Sequence, residues 1–288
     1  MKSYQKLFRM TRRLMRLSDH NEQRLNAAAD VIAQKNKELE ALSTKLSKYL
    51  SPQIYNSIFT GAQSVEIASS RKKLTIFFSD VVNFTETTDK LESEELTNLL
   101  NHYLTEMSRI ALEFGATIDK YIGDAIMAFF GDPESKGAKE DAIACVRMAI
   151  AMVRRMCELR SEWRELGAER PFQLRIGINT GYCTVGNFGN FGSADRMDYT
   201  IIGNMVNMTA RLQSHTEVDG ILMGHETYSL VKDVVATEEQ SPIQVKGFAE
   251  PIRCYKVLGL YDDLVREGQL IREEQEGFKF MLDLQKAR

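Results

Sequence analysis

The order in which strand and helix signals follow one another is the feature that most restricts the fold of this chain. Apolar β-branched and aromatic runs predict strands at 74–78, 116–121 and 125–130, and helical periodicity predicts helices at 93–114 and 138–166. Further predicted elements are strands at 172–179, 182–188, 220–223 and 252–258 and a helix at 204–214. The order β-α-β-β-α-β predicts an α/β (α+β) domain with a ferredoxin-like core over residues 72–260.

Turn and cap residues refine this prediction. Ile122-Gly123-Asp124 separates two predicted strands, and Thr180-Gly181 separates two others, so each is expected to form a hairpin turn. Ser93 precedes an apolar-periodic run and is expected to cap the helix that follows.

Residues 1–50 carry a different pattern, with apolar side chains at heptad spacing and no proline before Pro52. The seam consists of Leu25, Ala28, Ile32, Leu39, Leu42, Leu46 and Tyr49, with Lys35 as the polar exception. Leu14 and Leu17 are out of phase, which predicts a register shift near residues 18–24. The pattern favours a parallel two-stranded coiled coil, and the alternative is a lone amphipathic helix packed on the globular part.

The segments on either side of the predicted core are short. Ser51-Pro52 is expected to end the first helix, because the residue before proline is disfavoured in the α region. Residues 51–71 are then predicted to be a linker or transducer element containing a helix at 53–59. The charged residues 261–288 are predicted to form a helical tail.

Composition excludes several classes of protein. The 288 residues include 37 lysines and arginines and 40 aspartates and glutamates. There is thus no excess of basic residues to suggest a nucleic-acid partner. No apolar run reaches the length of a transmembrane segment, and the first residues do not resemble a signal peptide. The four cysteines form no C-x-x-C pair and the histidines lack zinc-ligand spacing, so we expect reduced thiols and a cytoplasmic protein.

The motif Phe-Ser-Asp-Val-Val-Asn-Phe-Thr, residues 78–85, contains the first candidate for chemistry. Asp80 ends a strand predicted to be buried, where a charge is costly unless a cation pairs with it. The turn that follows leads into a helix start, and its backbone N–H groups could receive phosphate oxygens. This makes Asn83, Phe84 and Thr85 candidate phosphate-binding residues, whereas the local alternative is an aspartate that merely caps the next helix.

A second carboxylate, Asp124, is expected at the same edge of the sheet. It lies in the turn between two strands that could pair beside the first strand. Two neighbouring carboxylates repel unless metal ions lie between them, as in two-metal phosphoryl-transfer sites. Hard oxygen ligands favour Mg²⁺ or Mn²⁺. Because aspartate is common in turns for local reasons, the position alone does not decide between the two readings.

The third candidate pair lies on the predicted helix at 204–214. Asn207 and Arg211 are four residues apart and therefore share a face. An amide and a guanidinium pointing the same way suit a phosphate whose charge changes during a reaction. The alternative is a solvated polar stripe.

Taken together, these elements resemble the catalytic domain of class III adenylate/guanylate cyclases over about residues 72–260. The matching stretches are FSDVVNFT, KYIGDAIMAFFG, LRIGINTG and DYTIIGNMVNMTARL. The resemblance implies that Asp80 and Asp124 bind two Mg²⁺ or Mn²⁺ ions, with the backbone of Val81 as a further candidate ligand. It implies that Asn207 and Arg211 stabilise the transition state. By the same resemblance the polyphosphate-contacting residues are Arg175 and, as a weaker match, Lys246.

Base recognition is the point at which the sequence departs from the commonest pattern. Lys120 matches the base-reading lysine of adenylate-specific members, but Thr200 stands where many have an aspartate. This combination resembles the class IIIb subgroup, which includes bicarbonate-responsive enzymes. Lys120 can donate to adenine N1, and the Thr200 hydroxyl can accept from the N6 amino group. Because a hydroxyl can also donate, the strictness of ATP over GTP stays open.

The resemblance implies conversion of ATP to 3′,5′-cyclic AMP and pyrophosphate, with Asp80 or a water as general base. It also implies a head-to-tail homodimer with shared sites. One subunit would supply Asp80, Asp124 and Arg175, and the other would supply Lys120, Thr200, Asn207 and Arg211. The alternatives are a guanylate or mixed-specificity cyclase and an inactive cyclase-like dimeric scaffold. No sensor domain is recognisable, so an upstream sensor protein, bicarbonate or no regulation remain open.

Overall fold

The computed structural model describes residues 2–47, 49–59, 68–89, 91–165, 171–189, 197–244, 248, 250–275 and 278–283. It divides into two compact units, Met1–Pro52 and Gln53–Arg288. No helix among the described residues is long and apolar enough to span a bilayer.

The first unit is one continuous helix, α1 (Lys2–Leu46). It is continuous through residues 18–24, where a shift of the heptad register is predicted, and it ends at Leu46 rather than near residue 50. The seam side chains point into solvent, with Leu25 71% and Leu39 63% exposed. The predicted helix is therefore present, and its pairing with a second copy remains a prediction.

The second unit contains a mixed α/β fold. Its helices are α2 (Pro52–Phe59), α3 (Phe84–Thr88), α4 (Ser93–Glu113), α5 (Ala138–Glu165), α6 (Asn204–Ser214), α7 (His225–Val231) and α8 (Tyr261–Arg266). Its strands are β1 (Ser69–Val81), β2 (Thr117–Ile122), β3 (Ala125–Phe130), β4 (Leu174–Gly189), β5 (Met197–Ile202), β6 (Ile221–Gly224), β7 (Val235–Ile243), β8 (Ile252–Leu260), β9 (Leu270–Gln275) and β10 (Phe278–Asp283).

The main sheet has the strand order β2-β3-β1-β4-β6-β8-β7, and β5 pairs with β4. Strands β2, β3, β1 and β4 are antiparallel neighbours, which is the arrangement of a ferredoxin-like core and confirms the predicted fold class. Helices α4 and α5 pack on this sheet, and their buried side chains include Tyr103, Met107 and Trp163. The helix predicted to begin with Ser93 as its cap has Glu92 at that position instead.

The hairpin predicted at Thr180-Gly181 is wrong, because β4 runs without interruption through both residues. Its pairing with β1 continues in register from Val81↔Leu174 to Ser69↔Gly186. Thr180 is buried and its hydroxyl lies 2.9 Å from that of Thr75 on β1. The Thr-Gly dipeptide therefore serves contacts within the sheet and with α6 rather than a turn.

Two glycines of β4 provide the surface on which α6 lies. A Cβ at Gly177 would stand 2.4 Å from the backbone nitrogen of Gln213 and 2.5 Å from the carbonyl oxygen of Thr209. A Cβ at Gly181 would meet the Met205 side chain at 2.6 Å. Helix α6 can approach the strand this closely because neither position carries a side chain.

The C-terminal tail was expected to be helical, and the structure contradicts this beyond α8. Strands β9 and β10 form a separate two-stranded antiparallel sheet. In Phe278–Asp283, Phe278, Phe280 and Leu282 recur at every second position, a spacing that suits a strand. The prediction weighed the charge of the segment and missed this alternation.

Candidate active site

The two candidate metal-binding aspartates lie together at one edge of the sheet, as predicted. Asp80 is the penultimate residue of β1, and Asp124 lies in the turn between β2 and β3. Because Ser79 pairs with Ile126, this turn comes level with the end of β1. The backbone N–H of Val81 donates to Asp124 Oδ2 at 2.9 Å and fixes that carboxyl group beside Asp80. Gly123 has a φ of 66°, a conformation that glycine adopts without strain.

Asp80 also receives two side-chain donors. Arg175 is its cross-strand partner on β4, and the guanidinium Nη2 donates to Asp80 Oδ2 at 2.9 Å. Gln213 Nε2, from α6, lies 3.3 Å from the same oxygen. Arg175, the predicted phosphate-binding arginine, is thus held next to the carboxylate pair. Its side chain is 27% exposed and that of Asp80 is 30% exposed.

The electrostatics of this pair suit a divalent cation. The pKa of Asp124 is raised to about 6. Burial is the main cause and the hydrogen bond to Asp80 adds to it, whereas the hydrogen bond from the Val81 N–H lowers the pKa. A carboxylate whose charge is disfavoured by its surroundings gains most from a bound cation. Among the described residues no third His, Cys, Asp or Glu completes a protein-only metal cluster. The oxygen donors of Asp80 and Asp124 therefore fit Mg²⁺ or Mn²⁺ with coordination positions left for substrate.

A cleft of about 590 Å³ opens beside the two aspartates. Its lining includes the predicted phosphate-binding residues Asn83, Phe84 and Thr85, together with Arg175. Asn83 adopts a left-handed conformation, with φ of 53°, immediately before α3. The sequence-predicted loop and the carboxylates thus face one cavity large enough for a polyphosphate.

The two candidate base-reading residues come together elsewhere in the chain. Thr200 on β5 is 9% exposed, and its hydroxyl donates to Asp119 Oδ2 at 2.7 Å. Lys120 Nζ lies 3.4 Å from the other oxygen of Asp119. Burial raises the pKa of Asp119, and the hydrogen bonds from Thr200 and Ile201 together with the charge of Lys120 oppose that rise.

Asn207 and Arg211 share the outer face of α6, as their spacing predicts. Both side chains are exposed, whereas Thr209, Leu212 and Gln213 are buried. Among the described residues neither side chain hydrogen-bonds to Asp80 or Asp124. The structure therefore brings Arg175, but not the Asn207–Arg211 pair, to the carboxylates of the same chain. The remaining candidate, Lys246, lies outside the described residues.

Two residues at these positions were not predicted from the sequence. Gln213 contacts Asp80, and the signal was its place on α6 two residues after Arg211. Asp119 contacts Thr200, and the signal was an acidic residue next to Lys120 inside an otherwise apolar strand.

Comparison with known proteins now defines the class. Residues 67–259 match the family model of the adenylate and guanylate cyclase catalytic domain. The chain therefore belongs to this family.

Among individual relatives, an adenylate cyclase of Anabaena cylindrica is 34% identical over 206 residues, which is 68% of this chain and 39% of that protein. The solved adenylyl cyclase CyaB of P. aeruginosa is 55% identical with a TM-score of 0.64, covering 67% of this chain and 96% of that one. The guanylyl cyclase Cya2 is 33% identical with a TM-score of 0.63, at 67% and 95% coverage. The chain thus spans less than half the length of the Anabaena relative.

Proposed function

We propose that this chain is an adenylate cyclase that converts ATP to 3′,5′-cyclic AMP and pyrophosphate. The observation that carries the proposal is the Asp80–Asp124 carboxylate pair at the cleft that Arg175 also lines. The names of the Anabaena and P. aeruginosa relatives support the choice of adenine.

Within this proposal, Asp80 and Asp124 hold two Mg²⁺ or Mn²⁺ ions. Bound there, the ions supply Lewis acidity to the triphosphate and to the ribose 3′-hydroxyl. Arg175 exchanges its contact with Asp80 for one with the polyphosphate. Arg211 neutralises charge that develops on the α-phosphoryl group, and Asn207 orients the ribose.

Adenine is read by Lys120 and Thr200 in the same proposal. The Lys120 ammonium donates to N1, and the Thr200 hydroxyl accepts from the N6 amino group. Guanine places a protonated N1 opposite the lysine, so two donors would face each other.

We further propose that each active site is built by two copies of the chain. Gln213 points toward Asp80 of its own chain, and Arg211 lies two residues earlier on α6. Residues two positions apart on a helix point about 200° apart, so Arg211 and Asn207 face away from that carboxylate. A second copy related by a two-fold axis could present its Asn207 and Arg211 to the cleft, and two equivalent sites would result.

The proposed activity is tested by incubating the protein with ATP or GTP and Mg²⁺ or Mn²⁺ and identifying the product by chromatography. We expect cyclic AMP from ATP as the main product. Cyclic GMP as the main product would instead support the guanylate alternative, and no product with either nucleotide would support an inactive scaffold. A parallel arm with bicarbonate tests that candidate regulator.

Complementation tests the shared site. Asp80→Ala and Asn207→Ala chains, each inactive alone, should recover about one quarter of the parent activity when co-expressed in equal amounts. Half of randomly assembled dimers are then mixed, and each mixed dimer keeps one intact site of two. Co-expressed Asp80→Ala and Asp124→Ala chains are the matched control. These should recover nothing, because both changes remove the same half of the site.

The shared-site proposal is contradicted if the Asp80→Ala and Asn207→Ala pair stays inactive although two-tag purification shows that mixed dimers form. Recovery in the Asp80→Ala and Asp124→Ala control would also contradict it.

We also propose that α1 pairs with its counterpart in the dimer through the exposed seam and orients the two domains. Leu39→Asp, or removal of residues 1–48, should raise the dimer dissociation constant by about tenfold or more, ~1.4 kcal/mol, because a buried seam would lose its apolar contacts. Lys37→Asp, on a polar face of the same helix, is the control and should leave it unchanged. Analytical ultracentrifugation gives the constants, and equal values for all variants would contradict the pairing.

A further inference from the structure

Asp119, on β2, contacts both base-reading residues, Thr200 and Lys120, and the family resemblance assigns it no role. Asp119 is 1% exposed and lies where the β2–β3 register shifts between Ile118 and Lys120. Such a bulge changes the direction in which neighbouring side chains point. Here adjacent residues, Asp119 and Lys120, both reach the region of Thr200.

We propose that Asp119 is the positioning residue that makes Thr200 an obligate hydrogen-bond acceptor toward the purine, and so selects a 6-amino over a 6-oxo base. The inference rests on the proposed function and adds the origin of its base selectivity. It requires no contact between Asp119 and the nucleotide.

Counting donors and acceptors fixes the direction of the Thr200–Asp119 hydrogen bond. An ionised carboxylate only accepts hydrogen bonds, so at the 2.7 Å contact the Thr200 hydroxyl proton must point toward Asp119. The hydroxyl has one proton, and only its lone pairs remain for a ligand. Adenine offers an N6 amino donor and is satisfied, whereas guanine and hypoxanthine offer an O6 acceptor and leave two acceptors facing each other.

Neighbouring donors and a cation oppose the effect of burial, which raises the pKa of Asp119. The Lys120 ammonium lies 3.4 Å from Oδ1, and the backbone N–H of Ile201 lies 3.5 Å from the Oδ2 that also accepts from Thr200. These groups all favour an ionised acceptor. The Thr200 hydroxyl, which otherwise could donate or accept, is therefore held in one orientation before the substrate binds. This is a form of preorganisation.

The test compares kcat/KM for ATP with kcat/KM for inosine triphosphate, which carries O6 and N1–H without the 2-amino group of guanine. Asp119→Ala should lower the ATP:ITP ratio about tenfold, or about 1.4 kcal/mol, because the freed hydroxyl can donate to O6 and this is the upper part of the range for one net hydrogen bond. Asp119→Asn keeps a carbonyl oxygen that can accept from Thr200 and should hold the ratio within about threefold of the parent.

A second background separates this role from a merely structural one. In Thr200→Val there is no hydroxyl to orient, so adding Asp119→Ala should leave the ATP:ITP ratio of the single variant unchanged. An unchanged ratio in Asp119→Ala alone would overturn the inference. An equal drop in the Thr200→Val background would also overturn it, because the effect would then run through Lys120 or the fold.

Thr200→Ser covers the case in which Asp119→Ala does not fold. It keeps the hydroxyl and should keep the parent ratio, whereas Thr200→Val should lower it. Equal ratios for the serine and valine variants would overturn the inference. A parent protein that makes no cyclic nucleotide refutes the proposed function itself, a result distinct from unchanged selectivity in an active enzyme.

Discussion

An Asp124→Asn variant should lose cyclase activity about a thousandfold, yet its metal-free form should be more stable than the parent at pH 8. The loss follows from the proposed role of Asp124 as a charged metal ligand, since several kcal/mol of transition-state stabilisation corresponds to about three powers of ten in rate. The gain follows from removing the partly buried charge beside Asp80. Asparagine keeps an oxygen for the Val81 N–H and carries no charge.

The pH dependence of the stability gain follows from the pKa of Asp124. Its folded value of about 6 lies above the ordinary 3.8, so the fold favours the protonated carboxyl. Above pH 6 Asp124 of the parent is ionised, which the fold disfavours, and the difference in unfolding free energy between Asp124→Asn and the parent is at its maximum. It shrinks as the pH falls from 6 and vanishes below about 3.8, where the parent is protonated in both states.

Thermal unfolding in chelator at pH 8, 6 and 4 measures this difference. Asp233→Asn, an exposed carboxylate that pairs with Lys139, is the control and should alter neither activity nor the pH profile. Asp124→Asn melting at or below the parent temperature at pH 8 would contradict the prediction. So would a stability gain that persists undiminished at pH 4.

The second large effect is expected from Gly177→Ala. A Cβ would lie 2.4 Å from the Gln213 nitrogen and 2.5 Å from the Thr209 oxygen, and both are backbone atoms that cannot rotate away. Helix α6 must therefore shift. We expect a loss of about 1–3 kcal/mol in unfolding free energy from overpacking, and about a hundredfold loss in kcat from misplacing Asn207 and Arg211.

Gly181→Ala is the matched comparison on the same strand. Its Cβ would meet Met205 Cγ at 2.6 Å, a flexible side chain that can adopt another rotamer. We expect a loss of less than about 1 kcal/mol in unfolding free energy and less than a tenfold change in kcat. Denaturant unfolding and steady-state kinetics measure both variants, and equal effects at the two positions would contradict a role for the backbone contact.

Much of the fold follows from local patterns. The strand-helix order and the turn at Gly123 predict the antiparallel core. The structure confirms them, because β3, whose residues are all apolar, is buried from Ile126 to Phe130 and pairs antiparallel with β2. The same reasoning fails at Thr180-Gly181. A glycine in a sequence can permit a turn or a close approach, and only the position of α6 shows which applies.

For the candidate site, positions fixed by strand ends or by helical spacing were predicted, whereas a contact between side chains on two distant strands was not. Asp80 and Asp124 follow from strand ends and pairing, and Asn207 and Arg211 follow from helical spacing. The contact between Asp119 and Thr200 joins residues 81 positions apart, and no local pattern encodes it. The heptad seam of α1 was read from the sequence, and its pairing with a second copy remains a prediction.

The glycine contact between α6 and β4 has a mechanical consequence. Most helix–sheet interfaces contain side chains whose rotamers can absorb small movements, whereas at Gly177 backbone lies directly against backbone. The strand that carries Arg175 and the helix that carries Asn207 and Arg211 therefore form a stiff pair. In the proposed dimer, a change in the rate would therefore require one catalytic domain to move as a whole relative to the other, because the interior of each domain has little compliance at Gly177.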